Sequence, residues 1–163
     1  LDDVEFVLIT KGPTERIEPE FQRLTDKILN LQQWSPVPHE QLPTILELAD
    51  VLVSSYADNE FSDLIPHLKT LEYMASETPI VVARTEGHER MLSHEKSAYL
   101  YTPGDPRSLA DGITTCLSNR EMAHEMAANA KLEVENHTFE RTARKAEEAY
   151  KDIVADYNGA DAS

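Results

Sequence analysis

The residues best suited to chemistry lie between Leu64 and Ala83, in the run LIPHLKTLEYMASETPIVVA. Pro66 suits the first position of a helix, where its missing N–H costs no bond. The first backbone N–H groups of such a helix are unpaired and point at an anion site, where a diphosphate can accept from them. Lys69 falls in the first turn and adds a point charge for a phosphate. Glu72 follows one turn later, with Leu68 and Leu71 nearby. An ionised carboxylate only accepts hydrogen bonds, so Glu72 suits the two hydroxyls of a ribose. The same spacing is that of an i, i+3 Lys–Glu pair on a plain surface helix, and generic chemistry alone favours this second reading.

Other polar residues give weaker signals. The six histidines include no HExxH and no tight pair, so no metal site is expected. His67 and His88 stand on loops where a ligand would sit, with a solvent-facing position as the ordinary alternative. Arg84 follows the PIVVA run and can face a phosphate, although a salt bridge to the acidic surface is the simpler expectation. Ser54 and Ser55 lack the nucleophile-elbow pattern of a covalent hydrolase. Cys116 reads as a small buried hydrophobe, the Met-containing stripe of residues 122–134 as core, and the acidic runs as solvated faces.

These residues need a scaffold, and the chain alternates short aliphatic runs with stretches of helical spacing. Strands are expected at Glu5–Thr10, Leu31–Trp34, Val51–Ser54, Pro79–Ala83 and Ala98–Tyr101. Helices are expected at Glu18–Leu29, His39–Ala49, Pro66–Ser76, Pro106–Leu117, Arg120–Glu135 and Thr138–Tyr157, with a turn and short helix over Thr85–His94. Strand–helix alternation of this kind gives an α/β, Rossmann-like three-layer sandwich, a parallel sheet with helices on both faces. Ligands bind such sheets beyond the carboxyl ends of the strands. The ligand loops are then Lys11–Thr14, Ser35–His39, Ser54–Pro66, Arg84–His88 and Thr102–Asp105. The expected domain runs over residues 1–157, with a polar tail at 158–163.

Composition sets the outer limits. The 163 residues hold 30 Asp and Glu against 15 Lys and Arg, a formal net charge of −15. Such an excess repels nucleic acid and anionic lipid at long range, which argues against both as broad-surface partners. A high-salt cytoplasm is an alternative source of the excess. A single cysteine excludes an intrachain disulfide and a cysteine-based zinc site. No apolar run approaches the roughly 18 residues of a membrane span. The start, Leu1-Asp2-Asp3, has neither an initiator Met nor a signal-peptide pattern, so the expectation is a cytoplasmic piece of a longer protein.

The ordered set "LKTLEYMASETPIVVA", "EGHERML", "AYLYTPGDPRSLADGI" and "HTFERTARKAEEAY" resembles the C-terminal half of a glycosyltransferase. "FVLITKGP" and "LPTILELADVLVSS" extend the resemblance over residues 4–157. The family is the glycogen-synthase-like, retaining group with the GT-B fold (family 4, group 1). The resemblance implies a domain that binds a nucleotide-diphosphate sugar, with the acceptor held by a separate N-terminal domain. It implies no metal and no other cofactor, because amide dipoles and basic groups stabilise the leaving diphosphate. It also implies membrane-peripheral docking, if any, through the domain that is missing here.

By the same resemblance, Glu72 matches the second glutamate of the family's paired motif, which holds the ribose, and Lys69 matches a lysine of its Pro-x-x-Lys-x-x-Glu members. Gly12 matches the glycine of the first strand's turn, and Gly87 one glycine of a Gly-Gly loop near the donor. Ser35 and Val37 occupy the loop near the base. His67, on a ligand-side loop, and Leu68, near Glu72, complete the expected donor contacts without a family match of their own. No catalytic residue is assigned within this chain. Leu64 stands where the family places the first glutamate of the pair, and an apolar side chain cannot play that part. The resemblance therefore carries the ribose contact and not the donor-sugar contact. Glu77 stands where the helix usually ends in glycine, so a different turn is expected there. Only one glycine stands in Glu86-Gly87-His88-Glu89, with Glu89 or Arg90 at the acidic position that follows. The family's Arg and Lys for the diphosphate precede this chain.

Three functions remain open on the sequence: a transferase donor domain, a non-catalytic Rossmann-like interaction module, and a nucleotide-sugar epimerase domain. The apolar face of the last helix fits a homodimer through Tyr150, Ile153 and Tyr157 under any of them.

Overall fold

The computed structural model describes residues 3–10, 18–56 and 68–160. The chain forms two compact units, Leu1–Leu48 and Ala49–Ser163.

In the first unit, β1 (Phe6–Ile9) pairs in parallel with β2 (Leu31–Trp34), in the register Phe6 opposite Leu31 through Ile9 opposite Trp34. The Asn30 side-chain amide donates to the Val4 carbonyl at 2.6 Å, and the Phe6 amide to the Asn30 carbonyl at 2.8 Å, which fixes that register at its start. Between the strands runs α1 (Glu18–Thr25). It ends four residues before the Leu29 expected from apolar spacing. The Thr25 hydroxyl bonds back to the Phe21 carbonyl at 3.0 Å, and the amides of Lys27 and Ile28 make i→i−3 bonds that close the helix into a tight turn. After β2, residues 35–38 form a loop rich in proline, followed by one 3-10 turn (His39–Gln41) and α2 (Leu42–Glu47). Pro43 lies in the first turn of α2, where proline is tolerated.

The second unit holds β3 (Leu52–Ser54), α3 (Leu68–Ala75), β4 (Ile80–Ala83), α4 (Glu86–Glu89), β5 (Tyr99–Tyr101), α5 (Pro106–Ser118), α6 (Arg120–Val134) and α7 (Phe139–Ala160). The strands pair in parallel in the order β3-β4-β5. All five expected strands therefore form, divided between a two-stranded and a three-stranded parallel sheet.

The pleat explains the layers. Ile80, Val82, Ala98 and Leu100 point to one face and pack with Met74 of α3, Leu92 and Ala130 of α6. Val81 and Tyr99 point to the other face, under α5. A methyl group at Gly112 would come within 2.6 Å of the Tyr99 ring and 3.0 Å of Val81, so the missing side chain lets α5 approach the sheet. Helices thus cover both faces of a strand, β4, whose residues are all buried.

The helix ends follow local chemistry. Asp105 caps α5 by accepting from the amides of Arg107 (2.9 Å) and Ser108 (3.3 Å), with Pro106 at the first helical position. Gly104 supplies the positive φ of 74° that the preceding turn needs. Asn119 caps α6 through the Met122 amide. At the end of α3 Glu77 adopts φ 59°, so the left-handed turn forms without a glycine, contrary to the different turn expected. Cys116 is buried, and burial pushes its thiol up to about 11, in keeping with a small hydrophobe. Ala123, Met126, Ala127 and Ala130 are buried on α6, as the core stripe requires. The last helix continues to Ala160 and leaves Phe139, Tyr150, Ile153, Val154 and Tyr157 exposed. Among the described residues no helix is long and apolar enough to cross a membrane.

Candidate functional site

Beyond the carboxyl end of β3 stands Tyr56, and the described chain resumes with the first turn of α3 at Leu68. A helix that returns between parallel strands starts at their carboxyl ends, so this turn lies on the ligand side of the sheet. Leu68, Lys69 and Glu72 are exposed, whereas Thr70 and Met74 are buried. The pattern follows from 3.6 residues per turn: Thr70 and Met74 face the sheet, and Lys69 and Glu72 share the outer face.

The i, i+3 pair of the plain surface helix does not form. Among the described residues no carboxylate lies within ion-pair distance of Lys69. Its ammonium sits instead over the Tyr56 ring, 4.8 Å from the centroid. Partial burial there lowers the Lys69 pKa from the ordinary lysine value. The neighbouring Tyr73 hydroxyl is pushed up by its own burial, then by the Glu72 charge and by Tyr56. Burial also raises Tyr101, opposed by a backbone hydrogen bond at Tyr56.

His88 is fully buried, neither solvent-facing nor exposed to a ligand. The reason is that α4 starts immediately after a strand buried on both faces, and Thr85 caps it by accepting from the His88 amide at 3.3 Å. The cap turns the imidazole inward. Its Nδ1 lies 2.8 Å from the Ala83 carbonyl oxygen and 3.1 Å from the Thr85 hydroxyl. A carbonyl only accepts, so Nδ1 carries the proton. In the neutral ring Nε2 is then an acceptor, and the Thr70 hydroxyl, 3.1 Å away, donates to it. The Tyr56 ring meets the imidazole edge-on, with centroids 5.4 Å apart.

The cations of the loop after β4 are engaged with acids. Arg84 pairs with Glu89 at 2.9 Å, as the simpler expectation had it, and also reaches the Leu100 carbonyl. Arg90 pairs with Glu86 at 2.5 Å. Gly87 is the second residue of α4 and half-buried. In the first unit, Ser35 is exposed and Val37 half-buried in the loop after β2. Gly12, Leu64, Pro66 and His67 lie outside the described residues.

The structure therefore gathers Lys69, Glu72 and Leu68 on one turn and a half of helix, and links that helix to the loop of Gly87 through His88. Sequence reasoning passed over Tyr56 and Thr70. Thr70 carried a readable sign, since it stands four residues before Met74 on the apolar side of α3. Tyr56 carried none beyond its place after a strand. Among the described residues no group of three or more His, Cys, Asp or Glu is placed to hold a metal ion.

Parallel strands flanked by helices, with the first turn of α3 at the strand ends, define an α/β, Rossmann-like fold of the GT-B kind. The fold is shared with the Anabaena protein Alr3699/HepE, solved in complex with UDP and glucose, at a TM-score of 0.75 and 18% identity over 91% of this chain and 40% of that one. A glycosyltransferase from Rickettsia africae matches at a TM-score of 0.76 and 17% identity, over 93% of this chain and 40% of that one.

The family described as "Glycosyl transferases group 1" matches residues 1–119, and the chain belongs to that family, as a C-terminal domain. A D-inositol 3-phosphate glycosyltransferase of Corynebacterium urealyticum is 30% identical over 118 residues, 72% of this chain and 27% of the relative. The chain thus spans about a quarter of the length of that curated relative.

Proposed function

We propose that this chain is the donor-binding part of a glycosyltransferase that transfers a sugar from a nucleotide-diphosphate sugar to an acceptor with retention of configuration. One observation carries the reading: Lys69 and Glu72 share the exposed face of α3 at the ligand end of the sheet without pairing with each other. A lysine held over an aromatic ring and a carboxylate left in solvent are available to a ligand. A ligand with a phosphate for the ammonium and a vicinal diol for the carboxylate matches both.

In this reading the Lys69 ammonium meets the diphosphate, and the Glu72 carboxylate accepts from the ribose hydroxyls. As the donor bond breaks, negative charge grows on the leaving diphosphate, and a cation already in place stabilises it without reorganisation. No metal or other cofactor enters this scheme. For Gly12, Ser35, Val37 and Gly87 as donor contacts, the family resemblance is the support; for His67 and Leu68 it is their place in the sequence beside Lys69 and Glu72. The UDP complex of the Anabaena relative in fold supports a nucleotide donor. The acceptor and any membrane-peripheral contact belong to a separate N-terminal domain, and the place of action is the cytoplasm.

The exposed stripe of α7 favours a second role beside the first: a surface for another protein, such as a second copy joined through Tyr150, Ile153 and Tyr157. An interaction module without catalysis would keep this stripe and bind no nucleotide.

Titration of UDP, GDP and ADP into the full protein, by calorimetry, separates the two. The donor reading expects selective binding of one nucleotide, weakened by Glu72→Ala. Absence of binding at millimolar nucleotide overturns it in favour of the interaction module.

A further inference from the structure

We propose that His88 is a positioning residue of the Lys69–Glu72 site: through Thr70 and Tyr56 it sets where the Lys69 ammonium stands. The proposal rests on the donor-site reading of those two residues. Three observations carry it.

The first is the cost of the arrangement. A fully buried imidazole must satisfy both ring nitrogens, and an aliphatic side chain would fill the same space without that demand. His88 satisfies both, and it does so on two separate elements, the end of β4 through Ala83 and the first turn of α3 through Thr70. Satisfied buried polar networks fix one geometry where apolar packing tolerates several.

The second is leverage. Successive residues of a helix step by about 100°, so holding Thr70 inward sets the rotation of the whole turn. Lys69 and Glu72 then fall about 60° apart on the outer face. A helix free to rotate by a fraction of one residue would carry both groups off the ligand together.

The third is Tyr56. Its ring stands edge-on to the imidazole at 5.4 Å and beneath the Lys69 ammonium at 4.8 Å. One buried imidazole thus supports both the backbone from which Lys69 projects and the ring on which its charge rests. The arrangement presents a preset cation to a phosphate, and less side-chain freedom is lost when the ligand arrives.

The test uses the full protein with the variants Thr70→Val, His88→Asn and His88→Gln. Asparagine carries its amide near the Nδ1 position, where it donates to the Ala83 carbonyl while its oxygen stops short of Thr70, whereas the longer glutamine carries an acceptor toward the Nε2 position that Thr70 faces. Two readouts are taken. One needs no nucleotide: the Cε methylene signals of Lys69 in a proton–carbon spectrum, assigned by their loss in Lys69→Arg and displaced by the Tyr56 ring. The other is the dissociation constant of whichever of UDP, GDP and ADP binds. Circular dichroism and the thermal midpoint establish that each variant is folded.

Thr70→Val and His88→Asn are expected to abolish the ring displacement and weaken binding by about tenfold, the scale of one misplaced charge-assisted contact. His88→Gln is expected to restore both toward the native values. Lys69→Ala placed on Thr70→Val is expected to add little further loss, because the two changes remove the same contact. Folded Thr70→Val and His88→Asn with an unchanged ring displacement overturn the proposal whatever the nucleotide does. A native protein that shows the displacement but binds no nucleotide overturns the donor reading, and with it the role of His88 toward a phosphate.

Discussion

Lys131 of α6 holds the turn that ends α3 through Glu77, with its ammonium 3.3 Å from the Glu77 carboxylate and 2.6 Å from the Ala75 carbonyl oxygen. Glu77 has a φ of 59°, where a side chain costs about 1 kcal/mol relative to glycine. The lysine answers an unpaired helix-end carbonyl and draws the carboxylate to the same spot. The turn keeps its shape because a neighbouring helix reaches across to it.

The two sides of that turn respond oppositely to mutation. Glu77→Gly relieves the backbone and gives up a solvent-exposed ion pair, so unfolding free energy is expected to rise by about 0.5 kcal/mol. Lys131→Met gives up both the bond to the exposed Ala75 carbonyl and the Glu77 ion pair while the positive φ remains, and is expected to lower it by about 0.5 kcal/mol. Chemical denaturation of both variants checks the signs.

Gly112→Ala is expected to destabilise the protein by about 1–3 kcal/mol, since the new methyl meets the Tyr99 ring at 2.6 Å. The double variant Gly112→Ala, Tyr99→Leu is expected to recover part of the loss. Equal thermal midpoints for Gly112→Ala and the native chain would remove the close approach of α5 to the sheet as an explanation.

Glu72→Ala is expected to weaken nucleotide binding by about tenfold while leaving the thermal midpoint within a degree or two, because the side chain is exposed and bonds nothing in the core. A large fall in midpoint would show instead that Glu72 serves the fold.

Stability is expected to fall in alkali. The Cys116 thiol goes from an ordinary value of 9.0 to about 11 on burial. A group whose pKa is higher in the folded state favours folding while both states hold the proton. Above pH 9 the unfolded chain ionises first, and that contribution is lost until the folded thiol ionises near 11. Its scale is about 3 kcal/mol. Tyr73 and Tyr101, both raised by burial, act in the same direction at higher pH. Denaturant midpoints between pH 8 and 11 measure the slope, and Cys116→Ala is expected to flatten its earlier part.

How far the sequence could be read depends on which distances matter. Strands such as IVVA and YLY were legible because burial on both faces leaves an unbroken apolar run. The Lys69–Glu72 spacing was legible because helical neighbours lie within one turn. The early end of α1 turns on one hydroxyl, Thr25, bonding back to Phe21, which apolar spacing does not register. The support for Glu77 comes from Lys131, and the partner of His88 is Thr70, 18 residues away in sequence. Such pairings belong to the tertiary fold, so single-chain periodicity placed His88 on an open loop and passed over Tyr56.

Each strand pairing among the described residues is parallel, and this bears on how the chain acquires its shape. No strand here can zip onto its neighbour through a hairpin; every rung waits for a crossover to be threaded first. The ladder from Leu52 to Ile80 must close a loop of more than two dozen residues before its first bond repays the lost freedom. The three-stranded sheet therefore closes only after β4, its central strand, is available to both β3 and β5. Pairings of this sequence separation slow folding relative to a hairpin-built domain of equal length.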